Sequence, residues 1–263
     1  MRIGITLPQF RHDAEAAVDV ARRAEAAGID GVFVFDHLWP LGQRMRPALH
    51  CLTLLGALAA ETERVVLGPL VARVGLLPDA VLVNTLVSLH RVTGGRFIAA
   101  LGTGDSLNRD ENEAYGVAFP PAGERLAAVV RCSRALRDAG VTTWVGGRSA
   151  AVRRAAAEAG ADGWNGWGTD AEAFARDAAG VGPGPALTWG GQVLIGRTVE
   201  EAAAKLRTHG SRPGLVAGTV DDLHRHLDGL VAAGAVWAVC APLDVGTDPG
   251  AVEIVAEVAS AYR

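Results

Sequence analysis

The chain has 263 residues, 25 basic against 29 acidic side chains, a formal net charge of −4 and 49% apolar residues. That length holds two average domains or one α/β barrel, with a substantial core in either case. The mild acidity, with Lys205 the only lysine and the arginines scattered, excludes a phosphate-gripping nucleic-acid binder, and no apolar run reaches membrane-spanning length.

The three cysteines, Cys51, Cys132 and Cys240, are far apart and lie among apolar or helical neighbours. They read as buried core thiols, not as a disulfide framework or a metal site. The stretch Met1–Leu7 is too short and too alternating for a signal peptide. The expectation is a cytoplasmic protein with no membrane or nucleic-acid partner.

In chain order, short apolar runs alternate with longer amphipathic ones. Strand 2–7 precedes helix 13–27, strand 31–35 precedes helix 46–61, and strand 65–71 precedes helix 79–91. Strand 96–102 precedes helix 121–139, strand 141–146 precedes helix 149–159, and strand 162–167 precedes helix 170–179. Strand 186–195 precedes helices 198–208 and 220–233, and strand 235–241 precedes helix 249–261. Ala-Gly pairs ending at Gly28, Gly140, Gly160 and Gly234 close helices, because glycine adopts the left-handed turn that other residues resist. Asp13, Ser149, Thr169, Thr198 and Thr219 stand where helix N-caps are wanted. Thr198 with Glu201 fits a capping box.

Most of these strands are apolar throughout, as in Val32-Phe33-Val34-Phe35. Such strands are buried on both faces, which suits a parallel sheet covered by helices. Eight β/α units in one domain, residues 1–263, fit an α/β fold of the (β/α)8 TIM-barrel type. A doubly wound open sheet is the rival, and it wants a Gly-rich turn after the first strand. Here that strand runs into Pro8-Gln9-Phe10.

In such a barrel the functional groups follow the strands at the C-terminal mouth. Three stretches there carry polar chemistry. Asp36-His37 follows an all-apolar strand; histidine exchanges protons near neutrality, and a structural Asp-His pair fits the position equally well. Gly102-Thr103-Gly104-Asp105, with Asn108, suits close approach of a flat ligand or a plain turn. Gly146-Gly147-Arg148-Ser149 opens a helix, which suits an anion at exposed backbone N–H groups or a glycine turn into a capped helix. Trp144 and Trp237 fall inside strands and read as core, whereas Trp39 and Trp167 at strand ends have a better claim on a flat ligand. No metal-ligand spacing, Walker loop or Gly-x-Ser-x-Gly elbow is present.

Several motifs in series resemble one family. They are Ile3-Gly4-Ile5, Phe35-Asp36-His37, Thr93-Gly94-Gly95-Arg96-Phe97, Leu101-Gly102-Thr103-Gly104, Phe119-Pro120-Pro121, Gly123-Glu124-Arg125, Trp144-Val145-Gly146-Gly147, Ala161-Asp162-Gly163-Trp164 and Gly218-Thr219. The family is the bacterial luciferase-like flavin- and deazaflavin-dependent oxidoreductases, which are (β/α)8 barrels. The stretch Thr103–Asn108 is similar to the branch using the 8-hydroxy-5-deazaflavin coenzyme F420 (F-420), not FMN.

The resemblance implies that Asp36, Thr103, Gly104 and Asn108 contact the coenzyme, with His37 as proton donor. It implies that Gly146, Gly147, Ser149 and Ala150 bind its phosphate side. It also implies a non-proline cis peptide at a bulge, here Leu70-Val71, with Arg73 near the coenzyme. Asp105 stands where the branch's sugar-phosphate dehydrogenases have a catalytic glutamate, and is a secondary acid/base candidate. Two features depart from the family. Its usual long excursion before the fifth strand is missing, and a single lysine leaves no basic cluster for a sugar phosphate. The implied function is hydride transfer between F420 and a small organic substrate, by a possible homodimer. An FMN-dependent monooxygenase and a non-catalytic flavin-binding protein are the alternatives.

Overall fold

A computed structural model describes residues 1–248 and 250–263 of the chain. Pro249, the first residue of the last predicted helix, lies outside the described residues.

Parallel strands follow one another as β1 (Arg2–Thr6), β2 (Gly31–Val34), β3 (Val66–Pro69), β4 (Ala72–Arg73), β5 (Ile98–Gly102), β6 (Thr142–Gly146), β7 (Gly163–Trp167), β8 (Ala186–Gly196), β9 (Val216–Thr219) and β10 (Ala235–Pro242). The sheet order is β3-β2-β1-β10-β8-β7-β6-β5-β4, with β9 paired to the far part of β8. β3 and β4 are two parts of one stave, interrupted at Leu70-Val71. The first part pairs with β2 and the second with β5. A parallel bridge from Leu67 to Phe97 joins that stave to the chain entering β5 and completes the circle. The eight predicted strands are therefore the eight staves of a (β/α)8 barrel.

The helices are α1 (Glu15–Ala26), α2 (Cys51–Glu61), α3 (Asp79–Val92), α4 (Arg109–Ala114), α5 (Ala122–Asp138), α6 (Ala150–Glu158), α7 (Ala171–Ala178), α8 (Val199–His209), α9 (Val220–Ala232) and α10 (Gly250–Ser260). The glycines expected to close helices do so with positive φ at Gly28, Gly140, Gly160 and Gly234. Of the expected caps, Ser149 and Thr198 accept backbone N–H bonds from Val152 and Glu201, and Thr219 forms a capping box with Asp222. Two expectations are corrected. Asp170, not Thr169, caps α7, and Asp13 precedes Ala14, the N-cap of α1, which makes no side-chain bond. Glu201 reaches the backbone N–H of Arg197 instead of Thr198, so that capping box closes one residue early. Helix 46–61 begins only at Cys51. Pro47 disfavours helical backbone in the residue before it, and the Leu49 N–H is taken by the carbonyl of Gln9.

Apolar packing forms two layers. The larger cluster lies between the staves and the helices. The smaller fills the barrel with Phe33, Leu70, Ile98, Ala100, Trp144, Trp237 and Val239. Phe33, Trp144 and Trp237 meet pairwise with ring centroids 5.7 to 6.0 Å apart. Small residues on neighbouring staves admit these rings. A Cβ on Gly163 would lie 2.5 Å from Trp144 Cδ1, and one on Gly4 would lie 2.8 Å from Phe33 Cε2. This interdigitation of large and small side chains keeps the barrel a packed core and directs function to its rim. All three cysteines are free and buried. Among the described residues no helix is long and apolar enough to cross a membrane.

Candidate active site

The strand ends carry the polar groups. At the end of β1, the fully buried Gln9 side chain clasps both backbone groups of Phe35, which fixes the chain as it leaves β2. The next two residues are Asp36 and His37. The Asp36 carboxylate accepts the backbone N–H of Arg73 at 2.7 Å, and the Arg73 Nε–H donates to the Asp36 carbonyl at 2.7 Å. Burial pushes the Asp36 carboxyl up, against the lowering effects of the Arg73 N–H and guanidinium. Asp36 thus staples the end of β2 to β4, just beyond the bulge.

Leu70-Val71 is a cis peptide, at the position the resemblance implied. The Val71 side chain lies in a notch formed by Gly102 of β5 and Gly146 of β6, which are register partners. A Cβ on Gly146 would lie 2.6 Å from Val71 Cγ1, and one on Gly102 would overlap Val71 Cγ2. The lack of side chains at these two strand-end glycines therefore admits Val71.

After β5, Thr103 and Gly104 lead into a 3-10 turn (Ser106–Asn108) and then α4. Gly104 has φ +63°, and a Cβ there would meet Asn108 Oδ1 at 3.0 Å and Arg73 Cδ at 3.4 Å. The Asn108 Oδ1 accepts the Asp105 N–H at 2.8 Å, while Asp105 Oδ1 accepts the Leu107 N–H at 2.8 Å. Asp105 is exposed and its carboxylate caps the turn. The structure brings it no contact with His37.

The sequence reading missed Glu111. This side chain has no solvent exposure. Its Oε1 accepts backbone N–H bonds from Leu38 at 2.7 Å and Trp39 at 3.3 Å. Its Oε2 faces His37 Nδ1 at 3.2 Å, Asn108 Nδ2 at 3.0 Å and Arg73 Nη1 at 3.0 Å. Burial pushes the Glu111 carboxyl up, but the His37 hydrogen bond and the Arg73 charge outweigh it and hold the group down at about 2. One helical turn separates Asn108 from Glu111, so an acid on the face of a candidate ligand residue was the available signal.

Asp36, His37, Arg73, Gly104, Asn108 and Glu111 thus form one connected cluster. Thr103 directly precedes Gly104, and the Gly102–Gly146 pairing sets Gly147 alongside Thr103. Ser149 and Ala150 open α6 on the exposed side of this rim. Arg148 is tied to Asp177 at 3.0 Å, and Arg153 reaches the same carboxylate at 2.9 Å. Trp39 is buried, stacked with Tyr115 and covered by Arg44, so it does not offer a free face. Trp167 remains half-buried, edge-on to Phe35. Among the described residues no cluster of His, Cys, Asp and Glu is arranged to hold a metal ion.

A family model described as luciferase-like monooxygenase matches residues 1–146, more than half of the chain. The chain belongs to the luciferase-like monooxygenase family. Residues of the cluster all lie within that matched segment. An F420-dependent glucose-6-phosphate dehydrogenase of Nakamurella multipartita is 33% identical over 128 residues, covering 48% of this chain and 37% of that relative. The matched region is therefore little more than a third of that relative's length. Solved structures share the fold. An F420-dependent secondary alcohol dehydrogenase in complex with an F420-acetone adduct superposes with a TM-score of 0.79 at 16% identity, covering 100% of this chain and 99% of that one. The oxygenating constituent of 3,6-diketocamphane monooxygenase from Pseudomonas putida, in complex with FMN, gives 0.74 at 15% identity, covering 99% and 98%.

Proposed function

We propose that this chain is an F420-dependent oxidoreductase that moves a hydride between the deazaflavin and a small organic substrate of the alcohol–carbonyl type, with His37 moving the accompanying proton. The observation that carries this is the composition of the mouth cluster. Its members Asp36, Arg73, Asn108 and Glu111 are buried, and His37 alone among its side chains, at 22% exposure, reaches the open rim. The Arg73 Nη2 is buried with no hydrogen-bond partner. A buried donor without an acceptor is costly, and a ring edge rich in carbonyl oxygens is the chemistry that satisfies it. The residues present therefore fit a flavin-like heterocycle.

When bound, a deazaflavin supplies a carbon centre that accepts or releases a hydride. Arg73 and Asn108 would meet the ring edge, and the Val71 bulge would back the ring. The first N–H groups of α6, at Ala150 and its neighbours, lack partners within the helix and suit the phosphate side. In the oxidising direction His37 takes the hydroxyl proton as the substrate carbon gives up its hydride; in the reducing direction it returns that proton. The F420-dependent sequence relative points to F420, and the neighbouring alcohol dehydrogenase with its F420-acetone adduct points to the substrate type. The sugar phosphate of the relative's name is not carried over. Lys205, the one lysine, is held by Asp244 at 2.8 Å and Asp248 at 2.7 Å.

A second proposal, an FMN-dependent monooxygenase, is favoured by the family's description and by the FMN-bound neighbour. Turnover separates the two. Anaerobic mixing with oxidised F420 and a panel of small secondary alcohols is expected to reduce the coenzyme. His37→Ala is expected to lower kcat on the order of 10²- to 10⁴-fold while coenzyme binding persists. Oxygen consumption with reduced FMN, and no turnover with F420, would overturn the proposal in favour of the second.

A further inference from the structure

We infer that Glu111 is a positioning residue that fixes the tautomer of His37, holding the proton on Nδ1 and leaving Nε2 as the atom that exchanges a proton with substrate. The catalytic meaning of this rests on the function proposed above; the tautomer itself does not.

Four donors and one imidazole nitrogen surround one carboxylate. Leu38 and Trp39 N–H groups meet Oε1, and Arg73, Asn108 and His37 meet Oε2. An ionised carboxylate only accepts hydrogen bonds. With a bare lone pair on Nδ1, two acceptors would face each other at 3.2 Å, one of them a carboxylate with no solvent exposure. The Asn108 amide has two N–H groups: one meets Glu111 Oε2 at 3.0 Å, and the other has only a 3.5 Å separation to Nδ1, too long to offset an unprotonated Nδ1 held against the carboxylate. The buried Arg73 guanidinium, 3.0 Å away, compensates the carboxylate charge.

The same group also sets where the imidazole stands. The bonds from Leu38 and Trp39 anchor the segment that carries His37, so one side chain controls both placement and tautomer. This is the arrangement in which a carboxylate orients an imidazole and faces the cation formed when the outer nitrogen takes a proton. Here the carboxylate comes from α4 and the imidazole from the end of β2.

Nitrogen-15 NMR of histidine-labelled protein, with His37 assigned by loss of its signals in His37→Asn, reads the tautomer without coenzyme. The expected result is an Nδ1–H ring at a pH where His37 is neutral. Glu111→Gln keeps the size and removes the charge. Both carboxylate positions face donors, but the Leu38 and Trp39 N–H groups are fixed backbone while the Arg73 and Asn108 side chains can turn aside, so the amide oxygen takes the Oε1 position and its nitrogen donates to Nδ1. His37 is then expected to shift to the Nε2–H form, with kcat lowered on the order of 10²-fold or more, F420 binding within about threefold, and partial recovery in Glu111→Asp. An Nε2–H ring in the wild type overturns the inference, as does a Glu111→Gln protein that keeps both the Nδ1–H spectrum and the wild-type kcat. If Glu111→Gln does not fold, the wild-type spectrum alone decides. An Nδ1–H ring in a chain that fails to bind F420 upholds the inference about Glu111 and overturns the cofactor proposal instead.

Discussion

Gly146→Ala tests whether the strand-end glycines exist to admit Val71. The added methyl would lie 2.6 Å from Val71 Cγ1, yet 3.7 Å from Val71 Cβ. The first distance forces the bulge to move, and overpacking of this kind costs about 1–3 kcal/mol. In a chain of this size each kcal/mol lowers Tm by roughly 2–4 °C. Val71→Ala removes the offending γ carbons and by itself costs about 1–2 kcal/mol in lost apolar burial. In that background no contact closer than 3.7 Å remains, so the overpacking disappears. Gly→Ala then acts chiefly on the unfolded chain, where reduced backbone freedom stabilises the fold by about 0.4–1 kcal/mol. The sign of Gly146→Ala should therefore reverse, from destabilising beside Val71 to neutral or stabilising beside Ala. Urea unfolding of the two single variants and the double variant measures the cycle. Costs that add within about 0.5 kcal/mol would refute the notch.

The buried ionisable groups make further predictions. The Glu111 carboxyl sits at about 2 when folded against an ordinary 4.5. Its contribution is therefore complete above pH ~4.5 and lost as the pH falls toward 2, on the order of 3 kcal/mol, and urea unfolding at pH 5 and pH 3 should show a smaller difference in Glu111→Gln. His226 packs on Trp189 with ring centroids 4.8 Å apart, and burial lowers its pKa from 6.5 to about 4. The unfolded chain binds that proton first, so stability is full above pH ~6.5 and falls down to pH ~4; His226→Phe should flatten this part of the profile. Arg73→Met leaves Glu111 buried without its charge partner, and should cost about 3–5 kcal/mol in urea unfolding. Asp170→Ala should cost about 1 kcal/mol through the lost α7 cap. Thr169→Val should be near neutral, since the Thr169 hydroxyl is buried without a partner.

The barrel was legible because its staves are apolar on both faces and its helices end in Ala-Gly. Val32-Phe33-Val34 and Ala238-Val239-Cys240 leave no polar side for water. β9 was not legible, since Val216–Thr219 is short and only partly buried. Asp36 and His37 stood out because a charged pair follows an apolar run. Glu111 did not, because Arg109-Asp110-Glu111-Asn112-Glu113 has the composition of a solvated surface turn. Its burial is decided by α4 folding over the chain that leaves β2, a tertiary event no local pattern records. The glycines after β5 and β6 were legible as openings, but what occupies the opening was not. Val71 reaches Gly102 and Gly146 only once three staves are side by side. The choice between Thr169 and Asp170 as cap turned on one residue of helix phase, which sequence patterns resolve least well.

The most direct test of the central claim, that this rim holds a deazaflavin, is an equilibrium titration of the purified chain with oxidised F420 and, separately, with FMN. The account predicts saturable binding of F420 at one per chain, with FMN at least about tenfold weaker, and F420 binding weakened in Arg73→Met. No binding of F420, or tighter binding of FMN, would contradict it.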